Sequence, residues 1–317
     1  MKGRDLVSID DLNVEEIWRV LRLGKWLKSE YRAGRQHSLL AGRVLTLLFE
    51  KPSLRTRMSF DVATKRLGGH CIYLSPDEVG LGVRERVRDV ARVISTHSDV
   101  LVARTFSHQT VIELAEYADC PVINGLSDTC HPTQALADLL TIWERMGRLR
   151  GVKVCYLGDG NNVAHSLAIA GALTGLDLRI ASPPGHECAA EYRDLAGRLA
   201  AEHGSSVRFL EDPLAAASGV EVVYTDVWVS MGQEPLKVDP FSVFGPYQLN
   251  DRILSVAEPG CLVMHDLPAR IGEEITEDAF ESANSVVFEQ AENKLHAVKG
   301  LLSLIAGDSL PDSAPQE

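Results

Sequence analysis

Val44-Leu45-Thr46-Leu47-Leu48-Phe49-Glu50-Lys51-Pro52-Ser53-Leu54-Arg55-Thr56-Arg57-Met58-Ser59-Phe60 is the stretch on which the reading of this chain turns. Its first six residues form an apolar run bounded by Gly42 and Pro52, which predicts a buried strand. Met58, Phe60-Asp61-Val62-Ala63 and Arg66-Leu67 continue with helical spacing, so Ser53 falls where a helix begins. A helix N-terminus offers unpaired backbone N–H groups and the positive end of the helix dipole. Here it also carries the hydroxyls of Ser53 and Thr56 and the guanidiniums of Arg55 and Arg57. Guanidinium forks pair bidentately with phosphate oxygens. In a chain of net charge -12 this concentration of donors reads as a phosphate cradle. The plainer reading is a serine-capped helix with solvated arginines. The glycine-rich loops of nucleotide-binding folds are absent from the stretch, so a small phosphorylated metabolite fits better than a nucleotide.

Around it lie 317 residues, enough for two domains with separate cores. Hydrophobic content of 45% and charged content of 24% are those of a soluble globular protein. The acidic balance argues against nucleic-acid or anionic-membrane partners, which want basic surfaces. The first residues, Met1-Lys2-Gly3-Arg4-Asp5-Leu6, lack the apolar core of a signal peptide, and no apolar stretch approaches a membrane span. Cys71, Cys120, Cys130, Cys155, Cys188 and Cys261 are scattered with no CxxC pair. Neither a disulfide framework nor a zinc site is expected, and a reducing cytoplasm fits.

Ser8-Ile9-Asp10-Asp11-Leu12 and the apolar spacing beyond predict a capped helix to about Tyr31. Strands are expected at Gly69 to Leu74, Asp99 to Arg104 and Pro121 to Gly125, with a turn-rich loop from Ser75 to Gly82. Open parallel sheets bind ligands at the carboxyl ends of their strands, so Arg104 is a second anion candidate or else a salt-bridged strand end. In His131-Pro132-Thr133-Gln134 the proline can occupy a first helical turn. His131 and Gln134 would then point into one crevice, unless the histidine is a simple cap. At Gly147-Arg148-Leu149-Arg150-Gly151 the pattern restarts, which marks a domain boundary. Val152 to Ser166 reads as strand, turn, helix; Gly158 and Gly160 lack the third glycine of a dinucleotide turn, and Asn161-Asn162 could bind a carboxylate instead. Further strands at Leu178 to Pro183, Ser206 to Leu210 and Val220 to Thr225 alternate with helices, giving an α/β class with a doubly wound parallel sheet in each half. Ala297 to Ile305 is expected as a final helix, followed by a disordered polar tail.

The motifs Ser53-Leu54-Arg55-Thr56-Arg57, His131-Pro132-Thr133-Gln134 and Asp226-Val227-Trp228-Val229-Ser230-Met231-Gly232-Gln233-Glu234 occur in this order. Together they resemble those of the carbamoyltransferases, and within these the ornithine carbamoyltransferases, over nearly the whole chain from Ser8 to Ile305. The resemblance implies a carbamoyl-phosphate-binding domain at 1–149, an amino-acid-binding domain at 150–294, a last helix at about 295–306 packing back onto the first, and a disordered tail at 307–317. It implies that Ser53, Leu54, Arg55 and Thr56 hold the phosphate, supported by Arg57. Arg104 and His131 would contact phosphate and carbamoyl oxygens and Gln134 the carbamoyl nitrogen, with Asp266, Leu267 and Lys294 completing the set. Asn162, Asp226, Ser230 and Met231 would hold the amino-acid end, with Asn124 nearby, beneath a closing loop from Ser230 to Glu234. The catalytic group would be Arg55, Arg104, His131, Asp266 and Lys294. No metal or cofactor is implied. The implied assembly is a cytoplasmic homotrimer, with the Ser75 to Gly82 loop reaching a neighbour.

Two positions depart from the family. His265-Asp266-Leu267-Pro268 stands where it has His-Cys-Leu-Pro, and Ala291-Glu292-Asn293-Lys294 where it has Ala-Glu-Asn-Arg. Leu54 also replaces a commoner threonine, although its backbone N–H can still serve. Lysine keeps the charge of arginine but loses the fork. Asp266 adds a negative charge close to Asp226 unless one of the two takes a proton. It would favour an ammonium substrate, or act as the base that deprotonates it. Three readings follow: carbamoyl transfer to L-ornithine giving L-citrulline, with Asp266 and Lys294 compensating as a charge pair; a sister enzyme for a shorter diamino acid such as 2,3-diaminopropionate; and a non-catalytic paralogue that binds carbamoyl phosphate.

Overall fold

A computed structural model describes residues 1–229 and 238–315. The chain forms two compact units, one of Met1–Leu140 with the chain from Glu292 onward, the other of Thr141–Ala291. Sequence punctuation puts the division at Gly147 to Gly151, where a helix stops. By contacts it falls earlier, inside the Pro132–Met146 helix, and again inside the Val287–Ile305 helix. Glycines mark where a helix ends; they do not mark where its packing partners change.

In the first unit β1 (Val44–Phe49), β2 (His70–Leu74), β3 (Val100–Arg104) and β4 (Val122–Leu126) form a parallel sheet in the order β2-β1-β3-β4. The inner strands read as continuous apolar runs because both faces of such a sheet are covered. The order reverses between β1 and β3, and a crevice at the carboxyl ends of strands beside such a reversal is where open α/β sheets bind ligands. Phe49 pairs with Arg104 across this point. The Glu50 N–H donates to the Arg104 carbonyl at 2.8 Å, so the turn into the Leu54–Arg66 helix runs beside Arg104.

The N-terminal helix differs from expectation. Ser8 starts only a 3-10 turn, Ile9–Asp11, and the α-helix runs Val14–Arg32. Its cap is Asn13, which exchanges hydrogen bonds with Glu16 in a capping box, so the local side chain–backbone pairing sets the start one turn later. The final helix, Val287–Ile305, begins well before Ala297. Its early residues are polar and hide the apolar period, yet Asn293 is fully buried and accepts from Lys28 Nζ at 2.7 Å. A Cβ at Gly24 would lie 2.7 Å from the His296 carbonyl oxygen, and one at Gly300 2.3 Å from that of Val20. These two glycines let the first and last helices touch backbone to backbone. Beyond Ile305, the Asp308 N–H donates to the Leu39 carbonyl at 3.0 Å.

The second unit is a five-stranded parallel sheet, β7-β6-β5-β8-β9, built from β5 (Lys153–Leu157), β6 (Asp177–Ala181), β7 (Ser206–Leu210), β8 (Val222–Thr225) and β9 (Leu262–His265). Its order reverses between β5 and β8, which places the turn after Leu157 and the residues after Thr225 at the corresponding crevice. Gly160 has no room for a side chain, since a Cβ there would meet the Cys188 nitrogen at 2.1 Å.

Candidate functional site

The strand, turn and helix N-terminus of the first unit are built as the chain pattern predicts. Ser53 caps the Leu54–Arg66 helix, its Oγ accepting the Thr56 N–H at 3.2 Å, as the plainer reading of the serine has it. Arg104 Nη1 donates to Thr56 Oγ1 at 3.4 Å, tying the end of β3 to the first helical turn. Arg57 lies with its guanidinium 3.7 Å from the centre of the Tyr73 ring, and Leu54 is 73% exposed. Lys51, which sequence reasoning passed over inside its own key stretch, is buried, and its Nζ sits 5.2 Å from the centre of the Phe106 ring. Burial, then the charge of Arg104, pulls its ammonium down to about 8.

His131 and Lys294 meet although far apart in sequence, with Lys294 Nζ 3.0 Å from His131 Nε2. Both are buried. Burial pushes the imidazole well below its usual pKa, and the cations Lys294, Arg104, Lys51 and Arg55 push it further. His131 is therefore neutral. Since Lys294 can only donate, Nε2 accepts and the ring proton sits on Nδ1. Gln134 Nε2 donates to Asp138 Oδ1 at 2.8 Å, leaving its Oε1 buried with no donor among the described residues. An unused carbonyl oxygen of this kind suits a ligand NH2 group, and its burial unpaired costs roughly 1–3 kcal/mol until one arrives. Asn124 is fully buried in the first unit, its amide N–H2 donating to the Val7 carbonyl and Ser127 Oγ while its Oδ1 has no partner among the described residues.

In the second unit Asn161 ties the crevice together. Its Oδ1 accepts the N–H groups of Val163 and Ala164 and caps the Asn162–Thr174 helix, while Nδ2 donates to Asp226 Oδ2 at 2.9 Å. Tyr156 Oη donates to the same Asn161 oxygen at 3.2 Å. Thr225 pairs with His265 in the β8–β9 register, so Asp226 and Asp266 follow a matched pair on adjacent strands. Asp226 is buried, and desolvation with the charge of Asp266 raises its carboxyl to about 7. Leu267 has φ 66, the left-handed region that a leucine rarely occupies. Its N–H donates to His265 Nδ1 at 2.8 Å, while His265 Nε2 donates to Glu274 Oε1 at 2.9 Å. Gln290 accepts the His265 N–H and Glu274 the Arg270 N–H. Ser230, Met231 and the rest of the expected closing loop lie outside the described residues.

Residues 4–144 match the sequence family "Aspartate/ornithine carbamoyltransferase, carbamoyl-P binding domain", and residues 150–305 match "Aspartate/ornithine carbamoyltransferase, Asp/Orn binding domain". A protein of Pyrococcus abyssi named ornithine carbamoyltransferase is 48% identical over 307 residues, covering 97% of each chain. The chain belongs to the aspartate/ornithine carbamoyltransferase family. Among solved carbamoyltransferases, the ornithine carbamoyltransferase of Pyrococcus furiosus superposes with a TM-score of 0.94 at 48% identity, covering 96% of this chain and 97% of that one. That of Thermus thermophilus gives 0.85 at 42%, covering 95% and 98%. Two flanked parallel sheets are the carbamoyltransferase fold, as the motif order leads one to expect. No helix among the described residues is long and apolar enough to cross a membrane.

Four residues of this carbamoyltransferase escaped sequence reasoning: Lys51, Tyr156, Glu274 and Gln290. Lys51 lay in plain view beside the cradle. The other three carried no local signal, since each acts through a partner brought to it by the sheet.

Proposed function

We propose that this protein transfers the carbamoyl group of carbamoyl phosphate to the side-chain amine of L-ornithine, giving L-citrulline and phosphate. The observation that carries the reading is the setting of His131: a buried neutral imidazole with Lys294, Arg104, Lys51 and Arg55 around it, in the unit whose helix N-terminus opens at Ser53. Such a cluster suits a dianion bearing a neutral carbonyl group. The phosphate oxygens would take the backbone N–H groups of Ser53, Leu54 and Arg55 with the Thr56 hydroxyl, and the charges of Arg55, Arg104 and Lys51. The carbamoyl NH2 would donate to Gln134 Oε1. Amine attack makes the carbonyl carbon tetrahedral and gathers negative charge on its oxygen, and donors already held in place stabilise it without reorganisation. Each such donor is worth roughly 3–4 kcal/mol. Asn162 and Asp226 would hold the amino acid, Asp226 with its partner Asn161 already in place.

Ornithine is favoured over a shorter diamino acid because relatives from Pyrococcus abyssi at 48% and Geobacillus stearothermophilus at 47% identity, matched over nearly their full lengths, are named ornithine carbamoyltransferases. Part of the same proposal is a homotrimer in a reducing compartment. Val83, the residue just after the Ser75 to Gly82 loop, is 94% exposed, and all six cysteines are free.

The test is incubation with carbamoyl phosphate and, in turn, ornithine, lysine, 2,4-diaminobutyrate, 2,3-diaminopropionate, putrescine and aspartate, following phosphate and the carbamoylated product. Citrulline formed fastest is the expected result. A preference for a shorter diamino acid, or no turnover with any amine, would overturn it. Light scattering at micromolar concentration reads the assembly.

A further inference from the structure

Parallel strands β8 and β9 are in register at Thr225 and His265, so the next residue on each, Asp226 and Asp266, emerges side by side at the carboxyl edge of the sheet. Neighbouring strands lie about 4.8 Å apart, which keeps the two carboxylates within strong Coulombic reach. Asp226 is anchored by Asn161 Nδ2 at 2.9 Å, and Asn161 is held in turn by the helix it caps and by Tyr156 Oη. Among the described residues of this unit, Tyr156 feels the charge of both carboxylates and His265 acts on Asp226, while Asp159 and Cys188 lie close enough to act on Tyr156. Burial holds Tyr156 and Cys188 in their neutral forms. Asp159 is turned to His186, its Oδ1 3.2 Å from Nδ1. His265 is held between the Leu267 N–H at Nδ1 and Glu274 at Nε2, and its influence on Asp226 opposes that of Asp266.

We propose that Asp266 is a catalytic residue of this enzyme: with Asp226 it forms a carboxylate dyad that receives the acceptor as an ammonium and takes its first proton. The inference rests on the function proposed above. Two adjacent carboxylates cannot both stay ionised as easily as one, so they bind one proton between them at a higher pH than an isolated carboxylate. Empty, the doubly ionised dyad attracts a primary ammonium. One N–H proton then passes to the dyad, the freed nitrogen lone pair forms the C–N bond to the carbamoyl carbon, and the C–O bond to phosphate breaks with its electron pair on oxygen. The second amine proton leaves on the departing phosphate. In total one proton rests on the dyad and one on phosphate, and charge is conserved. A cysteine at this position carries no fixed negative charge and gives no such dyad, so Asp266 changes the protonation state in which the acceptor docks.

Two measurements test this. The first is 13C NMR of labelled aspartate carboxyls in the ligand-free protein. A resonance titrating near neutrality is expected, moving to lower pH in Asp266→Asn because loss of the neighbouring charge eases ionisation of Asp226. The second is the pH dependence of kcat/KM for ornithine. In the native protein it should level off once the dyad is ionised. In Asp266→Asn and in Asp266→Cys, which tests the same point if the first variant folds poorly, it should rise with the free-amine fraction and fall about 100-fold at pH 7, with the KM of carbamoyl phosphate changed less than about threefold. Profiles unchanged in both variants, or no carboxyl titrating near neutrality, would overturn the dyad. Absence of citrulline with the native protein would remove the ornithine reading alone, since the NMR titration needs no acceptor.

Discussion

Lys294 Nζ lies 3.0 Å from His131 Nε2, and the lysine can only donate, so this single contact fixes the tautomer of a buried neutral histidine. Replacing Lys294 by methionine removes the second-largest influence holding the imidazole neutral. The His131 pKa should rise, because one fewer positive charge opposes protonation. A lost hydrogen bond from a charged group is worth about 1.5–3 kcal/mol, so the KM of carbamoyl phosphate should rise roughly 10- to 100-fold. NMR titration of the His131 ring and steady-state kinetics read the two effects separately. An unmoved His131 would mean that the contact is incidental.

Lys51 titrates near 8 because burial and Arg104 disfavour its ammonium. Above that pH it is neutral and lends no charge to an anion. The KM of carbamoyl phosphate should therefore climb between pH 8 and 9 in the native protein, by about tenfold per pH unit at most for loss of a single proton. In Lys51→Met the KM should be high throughout and lose that dependence. A flat native profile would show that Lys51 does not meet the phosphate.

Leu267 is held in the left-handed region by its N–H bond to His265 Nδ1, and His265 is oriented by Glu274. Glu274→Ala leaves the buried His265 Nε2–H and the Arg270 N–H without acceptors, which should cost about 2–4 kcal/mol of stability. Glu274→Gln keeps an oxygen where both donors point and should recover most of it. Chemical denaturation gives the ordering, and kcat should follow it if the turn at Leu267 presents groups to the ligand. Equal loss in the two variants would argue for charge over hydrogen bonding.

Gly300→Ala would set a Cβ 2.3 Å from the Val20 carbonyl oxygen, a backbone atom that cannot turn aside. The first and last helices would have to separate, at about 1–3 kcal/mol as for other overpacked sites. The melting temperature should fall by several degrees. Because Lys294 lies on the same helix, the KM of carbamoyl phosphate should rise with it, while Gly197→Ala, where the added Cβ meets nothing within 4 Å, should leave both unchanged.

The local reading succeeded where one short segment carries both the fold and the chemistry. From Val44 to Phe60 an apolar run, a proline, a capping serine and two arginines set strand, turn and helix N-terminus in direct succession, and the structure keeps all three. It went astray at Asn13, where two polar residues compete to cap, and at Val287, where a helix pays for polar residues early in its length with partners far away in the chain. The sequence marks Asn161 and Asn162 together; which of the two adjacent amides meets Asp226 depends on the helix phase, and composition does not show it.

By itself the sequence determined the class of the fold, the order of its motifs and the two departures at Asp266 and Lys294, because those depend on residue type and spacing along one chain. Tertiary structure alone decided that Lys294 meets His131, that Gln134 Oε1 has no donor among the described residues and that Asp226 and Asp266 follow a pair in register. The physical reason is the same for all three. Hydrogen-bond polarity and charge coupling act over a few ångströms between atoms, and only packing brings residues 163 positions apart to that distance.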